Sequence, residues 1–337
     1  MKYNVIGDIH GQDVWKKLVM DDAINIFMGD YFCPYKEIPF EQERQNFLDI
    51  IEYKKSHPDN CILLIGNHDI CYWKIDEIYT RHEKFHEKDI CKLFKEYGSY
   101  LQMAYSIENV GLATHAGVSW YWYVKYAHQI QCFMNFPFIL EEGASDKDIT
   151  DTIIAEIQQH HLLNKDYWDK VLEDYSWCVV VGQSMYIVRT NAEGEIKLKL
   201  EIDRTPDTVA EQVNRLWQMK PFAFDFETHA HTYARDGDTM AFGPCWIRLL
   251  PLLNNNLYMF SDYFQTVGHT RLNYVKLDIT TSENVKSPIK NICKDYIIPV
   301  DLLDKQVTSI IITTMDENGL CMFEENTIKT EEENNDQ

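Results

Sequence analysis

Side chains able to bind metal or move protons sit at five glycine-flanked positions. They are Asp8 and His10 in GDIHG, Asp30 in GDY, Asn67, His68 and Asp69 in GNHD, His115 in HAG, and His269 in GHT. Oxygen and imidazole donors without a thiolate suit Mn²⁺, Fe or Zn²⁺ in a reactive site better than a structural zinc site. One carboxylate can bridge two ions held roughly 3.5–4 Å apart, and such a pair lowers the pKa of a water and clamps the oxygens of a reacting group. A histidine with a carboxylate partner is a general-acid arrangement. Asp8 and His10 stand two apart, so one loop can offer two ligands to one ion, with Gly7 and Gly11 clearing backbone room.

Each position closes a short apolar run. KYNVIG is followed by a helix near 12–20, then INIFM (24–28) and an amphipathic helix over 40–56. CILLI (61–65) precedes a helical stretch near 74–97, and LQMAYSI and GLATH, split by ENVG, read as a hairpin. Apolar strands alternating with helices predict an α/β sheet covered on both faces. In such a sheet, side chains at the carboxyl ends of neighbouring strands converge on one crevice.

Residues 1–118 therefore read as the first half of a core and 119–245 as an insertion or cap. That segment holds an aromatic run (SWYWYVKY), a polar helix (SDKDITDTIIAEIQQHH), a hairpin (TNAEGEIKLKLEI) and a helix begun by Thr-Pro. Strand character returns over 246–323 as the second half of the core. Residues 324–337 are acidic, lack an apolar pattern and read as a disordered tail.

The chain has 337 residues, 45% of them hydrophobic, enough for one large domain or two modest ones. No apolar run is long enough to span a membrane and no signal-peptide pattern opens the chain. Nine scattered cysteines without a CxxC pair fit reduced thiols. These features predict a cytoplasmic protein, in host cytoplasm if the gene is viral. A net charge of −21 argues against an extended nucleic-acid surface, although two divalent cations would make one pocket locally positive.

The ordered set GDIHG, GDY, GNHD, HAG and GHT resembles the calcineurin-like metallophosphoesterases of the phosphoprotein phosphatase (PPP) type. GNHD, HAG and GHT look more like the bacterial and phage branch, with its serine/threonine phosphatases and diadenosine tetraphosphatases, than like the eukaryotic enzymes. The resemblance implies an α/β (α+β) fold, a four-layer sandwich of two mixed sheets flanked by helices with an inserted cap. It also implies two divalent ions, Mn²⁺ foremost. Asp8 and His10 would bind the first, Asp30 would bridge, and Asn67, His115 and His269 would complete the second. His68 would protonate the leaving group, Asp69 would orient its imidazole, and metal-activated water would attack the phosphate.

One departure matters. The family pattern GDxxDRG supplies a phosphate-binding arginine, but here the chain reads GDYFCPY over 29–35. Arg248, in a GPCWIR segment similar to one upstream of the last histidine in phage-type relatives, is the first replacement candidate, and Arg271 the second. Either could bind a phosphate bidentately, with Asn67 beside it.

Three functions follow: a phosphatase acting on phosphorylated protein, a hydrolase of dinucleoside polyphosphates or cyclic phosphodiesters, and a non-catalytic metal-binding interaction protein. Other features read more plainly. His229 and His231 with Glu227 match no motif position. Gly182-Gln183-Ser184 is a degraded version of GHT, the aromatic run 120–126 is a packed lid, and His82 with His86 marks a solvated helix face.

Overall fold

The structure is a computed structural model and describes residues 1–73, 81–108, 110–132, 138–161, 165–191, 193–224, 243–248, 252, 263–269, 297–299, 309–314 and 321–326. In chain order its first half holds β1 (Lys2–Ile6), α1 (Trp15–Leu18), β2 (Ile24–Phe27), α2 (Phe40–Ser56), β3 (Cys61–Leu64), α3 (Asn67–Ile70) and α4 (Glu87–Tyr97). Then come β4 (Leu101–Gln102), β5 (Ala104–Ile107), β6 (Gly111–Thr114), α5 (Trp120–Tyr126), β7 (Phe138–Leu140), α6 (Asp146–His161) and α7 (Lys165–Asp174). The rest is β8 (Trp177–Val181), β9 (Ser184–Thr190), β10 (Ile196–Ile202), α8 (Pro206–Met219), β11 (Phe264–Val267), β12 (Ile297–Pro299), β13 (Ser309–Thr314) and β14 (Cys321–Asn326).

Two mixed sheets carry the site. The first has the order β14-β13-β1-β2-β3-β4, with β1 to β4 parallel and β13 antiparallel to β1. The second has the order β12-β11-β6-β5, parallel except for the β5–β6 hairpin. Successive residues alternate between two apolar layers, as the strand period of two requires. Tyr3, Val5, Ile26, Met28, Ile62 and Leu64 meet Ala113 and Phe264 between the sheets. Ile6, Phe27, Cys61 and Leu63 face outward into the larger cluster with Phe47 and Ile50 of α2. The strands are apolar on both faces because both are covered, which confirms the expected mixed α/β sandwich.

Segment 119–245 contributes to two places. Trp120, Trp122 and Tyr123 of α5 are fully buried in the larger cluster, so the aromatic run is a packed core helix. Helix α8, capped by the Thr205 hydroxyl on Thr208 N–H, lies against β5, and Asn214 accepts from the N–H groups of Met103 and Ala104. Strands β7 to β10 form a third sheet with its own apolar cluster, including Ile153, Trp168 and Val179.

Several local expectations differ. Helix α1 is one turn long because Asn4 Nδ2 donates to the Leu18 carbonyl (2.9 Å) and Asn25 Oδ1 accepts from Met20 N–H (3.0 Å). Polar side chains of β1 and β2 thus take the groups that a longer helix would need. The helix expected over 74–97 is present over 87–97; residues 81–86 are not helical, and 74–80 lie outside the described residues. His82 and His86 do not share a solvated helix face: His82 stacks on Tyr72 (4.6 Å between centroids) and His86 on Phe40 (3.9 Å). Strand β14 runs to Asn326, past the expected start of the tail at 324, because it pairs along β13; residues 327–337 are not described. Seven cysteines are free thiols among the described residues, and no described helix is long and apolar enough to cross a membrane.

Glu43 shows what close packing near the site costs. It is buried in α2 and accepts Cys33 N–H at 3.2 Å, while a side chain at Gly11 would press on its Cγ at 2.9 Å. Burial pushes its carboxyl up to about 7, against the pull of the Cys33 N–H. A raised folded pKa gives stability that is full below about pH 4.5 and lost as pH rises through 7. Glu43→Gln keeps the acceptor for Cys33 and should stabilise the chain at pH 8, by up to about 3 kcal/mol, with much less effect at pH 5. Thermal melts at the two pH values check this; an equal gain at both would count against it.

Candidate metal centre

Five parallel-running strands deliver the site from their carboxyl ends. Asp8 and His10 follow β1, Asp30 follows β2, Asn67 to Asp69 form the start of α3 after β3, His115 follows β6, and His269 follows β11. The first two loops are locked together, with N–H groups of Ile9, His10 and Gly11 donating to the carbonyls of Gly29, Asp30 and Tyr31. Gly268 N–H on the His115 carbonyl (2.8 Å) ties together the loops after β11 and β6 of the second sheet, and His269 N–H on Asp8 Oδ2 (3.0 Å) joins the two sheets. His10, Asp30 and His269 all have left-handed backbone, at φ of 44°, 55° and 60°. Such strain in non-glycine residues persists where surrounding contacts over-determine it, and it concentrates at reactive sites.

Asp30 is the hub. Its Oδ2 lies 3.7 Å from His10 Nε2, 3.9 Å from His68 Nε2 and 3.6 Å from His115 Nε2, while Oδ1 accepts His68 N–H at 2.8 Å. The separations to the imidazoles are too long for hydrogen bonds. They are close to the roughly 3–3.5 Å between neighbouring ligands that each lie about 2.1 Å from one ion. Ligand atoms cluster in two groups sharing Asp30: His10, Asp30 and His68, and Asp8, Asp30 and His115. Asn67 Oδ1 joins the second, 3.0 Å from His115 Nε2 and 3.0 Å from His269 Nδ1.

The imidazoles are held in one orientation by main-chain carbonyls, which can only accept. His10 Nδ1 faces Phe32 O (3.2 Å) and Cys33 O (3.1 Å), His68 Nδ1 faces Arg81 O (2.8 Å), and His115 Nδ1 faces Met28 O (2.7 Å). Each Nδ1 therefore carries the proton, and each Nε2 presents its lone pair to the centre, the second-sphere arrangement typical of ligating histidines. Burial lowers His10 to about 3 and pulls His68 and His269 down too. Neutral imidazoles are the form that binds metal. Burial alone would raise Asp30, but the imidazoles of His115, His68 and His10 and the His68 N–H outweigh it and hold the carboxyl low.

The donor set fits two divalent ions. The glycines fit as well: a Cβ at Gly66 would collide with Asp30 Oδ1, and one at Gly268 with Asp8 Oδ1. The carboxylates are thus packed against bare backbone.

The tight groups of ligand atoms pair His10 with His68 and Asp8 with His115, each with Asp30. One expectation needs redrawing. Asp69 does not serve the His68 imidazole. Its carboxylate accepts the N–H groups of Asp30 (2.8 Å), Tyr31 (3.0 Å) and Gly66 (2.8 Å), tying the loop after β2 to the loop after β3. Burial and the neighbouring Asp30 push the Asp69 carboxyl up, against the pull of those three N–H groups. The carbonyl of Arg81, a residue outside every motif, holds His68 instead.

Arg248 Nη1 lies 3.5 Å from the His269 carbonyl, at the edge of the second cluster. Arg271, and Glu227, His229 and His231, lie outside the described residues. Gly182-Gln183-Ser184 forms the turn between β8 and β9 of the third sheet, so GHT supplies the histidine after β11.

A family model for calcineurin-like phosphoesterases matches residues 1–182, which carry β1 to β3, β6 and the ligands from Asp8 to His115. The chain belongs to this family. It is accordingly a metal-dependent phosphoric ester hydrolase. This phosphoesterase also resembles three solved phosphatase structures. One is a protein serine/threonine phosphatase from Saccharomyces cerevisiae with similarity to human phosphatase PP5: identity 25%, coverage 35% of this chain and 38% of that one, TM-score 0.27. Another is a cold-active protein-tyrosine phosphatase of a psychrophilic Shewanella: identity 14%, coverage 96% and 80%, TM-score 0.43. The third is a further structure of a cold-active protein tyrosine phosphatase: identity 13%, coverage 96% and 78%, TM-score 0.44. No curated protein matches the chain.

Proposed function

We propose that this phosphoesterase hydrolyses phosphate monoesters, with phosphoserine or phosphothreonine in protein as its substrate class and Mn²⁺ as its preferred ion. The observation that carries the reading is Asp30 Oδ2, set among three inward-turned imidazole Nε2 atoms at 3.6–3.9 Å. Two divalent ions bound by Asp8, His10, Asp30, Asn67, His115 and His269 would supply activation of water and neutralisation of phosphate charge.

The chain's own groups do the rest. Asp69 fixes the loop after β2 so that Asp30 keeps its strained backbone. The Arg81 carbonyl holds the proton on His68 Nδ1 and turns Nε2 inward, so that the ring, once it takes a second proton at Nε2, can pass that proton to the departing oxygen. Asn67, and Arg248 beside His269, would bind phosphate oxygens.

Trp120, Trp122 and Tyr123 of the aromatic run are fully buried in the core and offer no stacking face to a nucleotide base. This favours a monoester over a dinucleoside substrate. A panel at fixed Mn²⁺ tests the reading, comparing p-nitrophenyl phosphate, a phosphoserine peptide and diadenosine tetraphosphate. Turnover of the first two is expected; strong turnover of the dinucleotide with none of the peptide would overturn it.

A further inference from the structure

The family's phosphate-binding arginine would fall at residue 34, where this chain has proline between Cys33 and Tyr35. Arg81 brings a guanidinium to that place from elsewhere. Its Nη2 donates to the Cys33 carbonyl, and its Cζ lies 3.7 Å from the centroid of the Tyr35 ring. The Tyr35 ring is in turn edge-on to His10, 4.6 Å between centroids, and His10 is edge-on to His68 at 5.2 Å. The same residue's carbonyl holds His68 Nδ1 at 2.8 Å. Arg81 and Tyr35 line an open cavity of about 290 Å³ together with Glu37, Glu43 and Glu83; none of the six expected metal ligands lines it, although Cys33, whose carbonyl faces His10, does.

The chemistry of the placement is specific. A guanidinium has five donors, so the bond to Cys33 leaves others for a ligand, and stacking on Tyr35 holds the plane while leaving its edge open. Arg81 and Glu43 line the same cavity, and the Arg81 charge pulls the Glu43 carboxyl down against its burial. In a chain of net charge −21, a dianionic substrate meets general repulsion, and a local cation beside the ligands is what admits it. Arg248 lies by His269, and Arg81 lies by His10 and His68, so the two arginines are associated with different ligand clusters.

We propose that Arg81 binds the substrate phosphate, replacing across space the arginine that GDYFCPY lacks. The proposal rests on the phosphomonoesterase reading, and its test has a readout that does not depend on turnover. Inorganic phosphate is titrated calorimetrically into the Mn²⁺-loaded wild type, Arg81→Ala, Arg81→Lys and Arg81→Gln, with p-nitrophenyl phosphate kinetics measured in parallel. Arg81→Lys keeps a charge and a long donor for the Cys33 carbonyl while Arg81→Gln removes the charge, and a thermal melt of each variant separates phosphate binding from support of the loop.

The Ala and Gln variants are expected to bind phosphate roughly tenfold or more weakly at unchanged Mn²⁺ content. Lysine should recover only part, and guanidinium added to Arg81→Ala should restore part of the rate. Phosphate affinity equal to wild type in Arg81→Gln overturns the proposal, as does a wild type that binds no phosphate. A wild type that binds phosphate through Arg81 yet turns over no ester would instead overturn the hydrolase reading and leave Arg81 in place.

Discussion

Asp30→Asn should leave a folded chain that no longer holds a divalent ion in either cluster. Asp30 is common to both groups of ligand atoms, and its Oδ2 is the atom that all three inward-facing Nε2 atoms approach. Asparagine is nearly isosteric and can still accept the His68 N–H through its amide oxygen, so the loop is expected to persist. Its amide nitrogen would stand where an anionic ligand oxygen stood. Turnover of p-nitrophenyl phosphate should fall by about 10³-fold or more, since one preorganised electrostatic group is typically worth 10²–10³ and this one serves both ions.

A melt supplies a readout apart from activity. An ion that binds only the folded state raises Tm in proportion to the logarithm of its concentration over its Kd. Mn²⁺ should therefore raise the Tm of the wild type by several degrees and leave that of Asp30→Asn unmoved. A variant that still gains the wild-type shift would show that the ions are held elsewhere.

Much of this site was legible because each ligand is coupled to a local rule. Asp8, Asp30, Asn67, His115 and His269 each close an apolar strand, and parallel strands end on one edge, so residues up to 261 positions apart meet there. Glycine punctuation was legible for a steric reason, since Gly66 and Gly268 stand against the carboxylates of Asp30 and Asp8.

What escaped notice was carried by backbone groups and by segments without a period. Asp69 beside His68 suggested a side-chain pair, but its partners are three main-chain N–H groups contributed by two loops, and residue types do not announce those. Arg81 stands in a charged stretch that reads as helix, and only the fold shows that its carbonyl faces His68 and its guanidinium faces Tyr35. The pairing of β13 with β1 was equally hidden, because an antiparallel edge contributed from residue 309 onward leaves no mark on β1.

His68→Asn separates two roles that the geometry alone leaves side by side. His68 Nε2 clusters with His10 and Asp30, as a ligand would, yet His68 is also the one inward imidazole in an asparagine-histidine-aspartate turn that can reach a leaving group. If His68 is the acid, the variant should keep its full complement of ions and the Mn²⁺-induced rise in Tm. Its kcat should drop about 10²–10⁴-fold for a phosphoserine peptide, whose alkoxide cannot leave without a proton. The loss should be far smaller for p-nitrophenyl phosphate, whose phenolate leaves unaided. If His68 is a ligand, ion content falls and both substrates suffer alike. The ratio of the two rate losses, measured beside metal content, therefore decides the assignment; a ratio near one with an ion missing would move His68 into the coordination sphere.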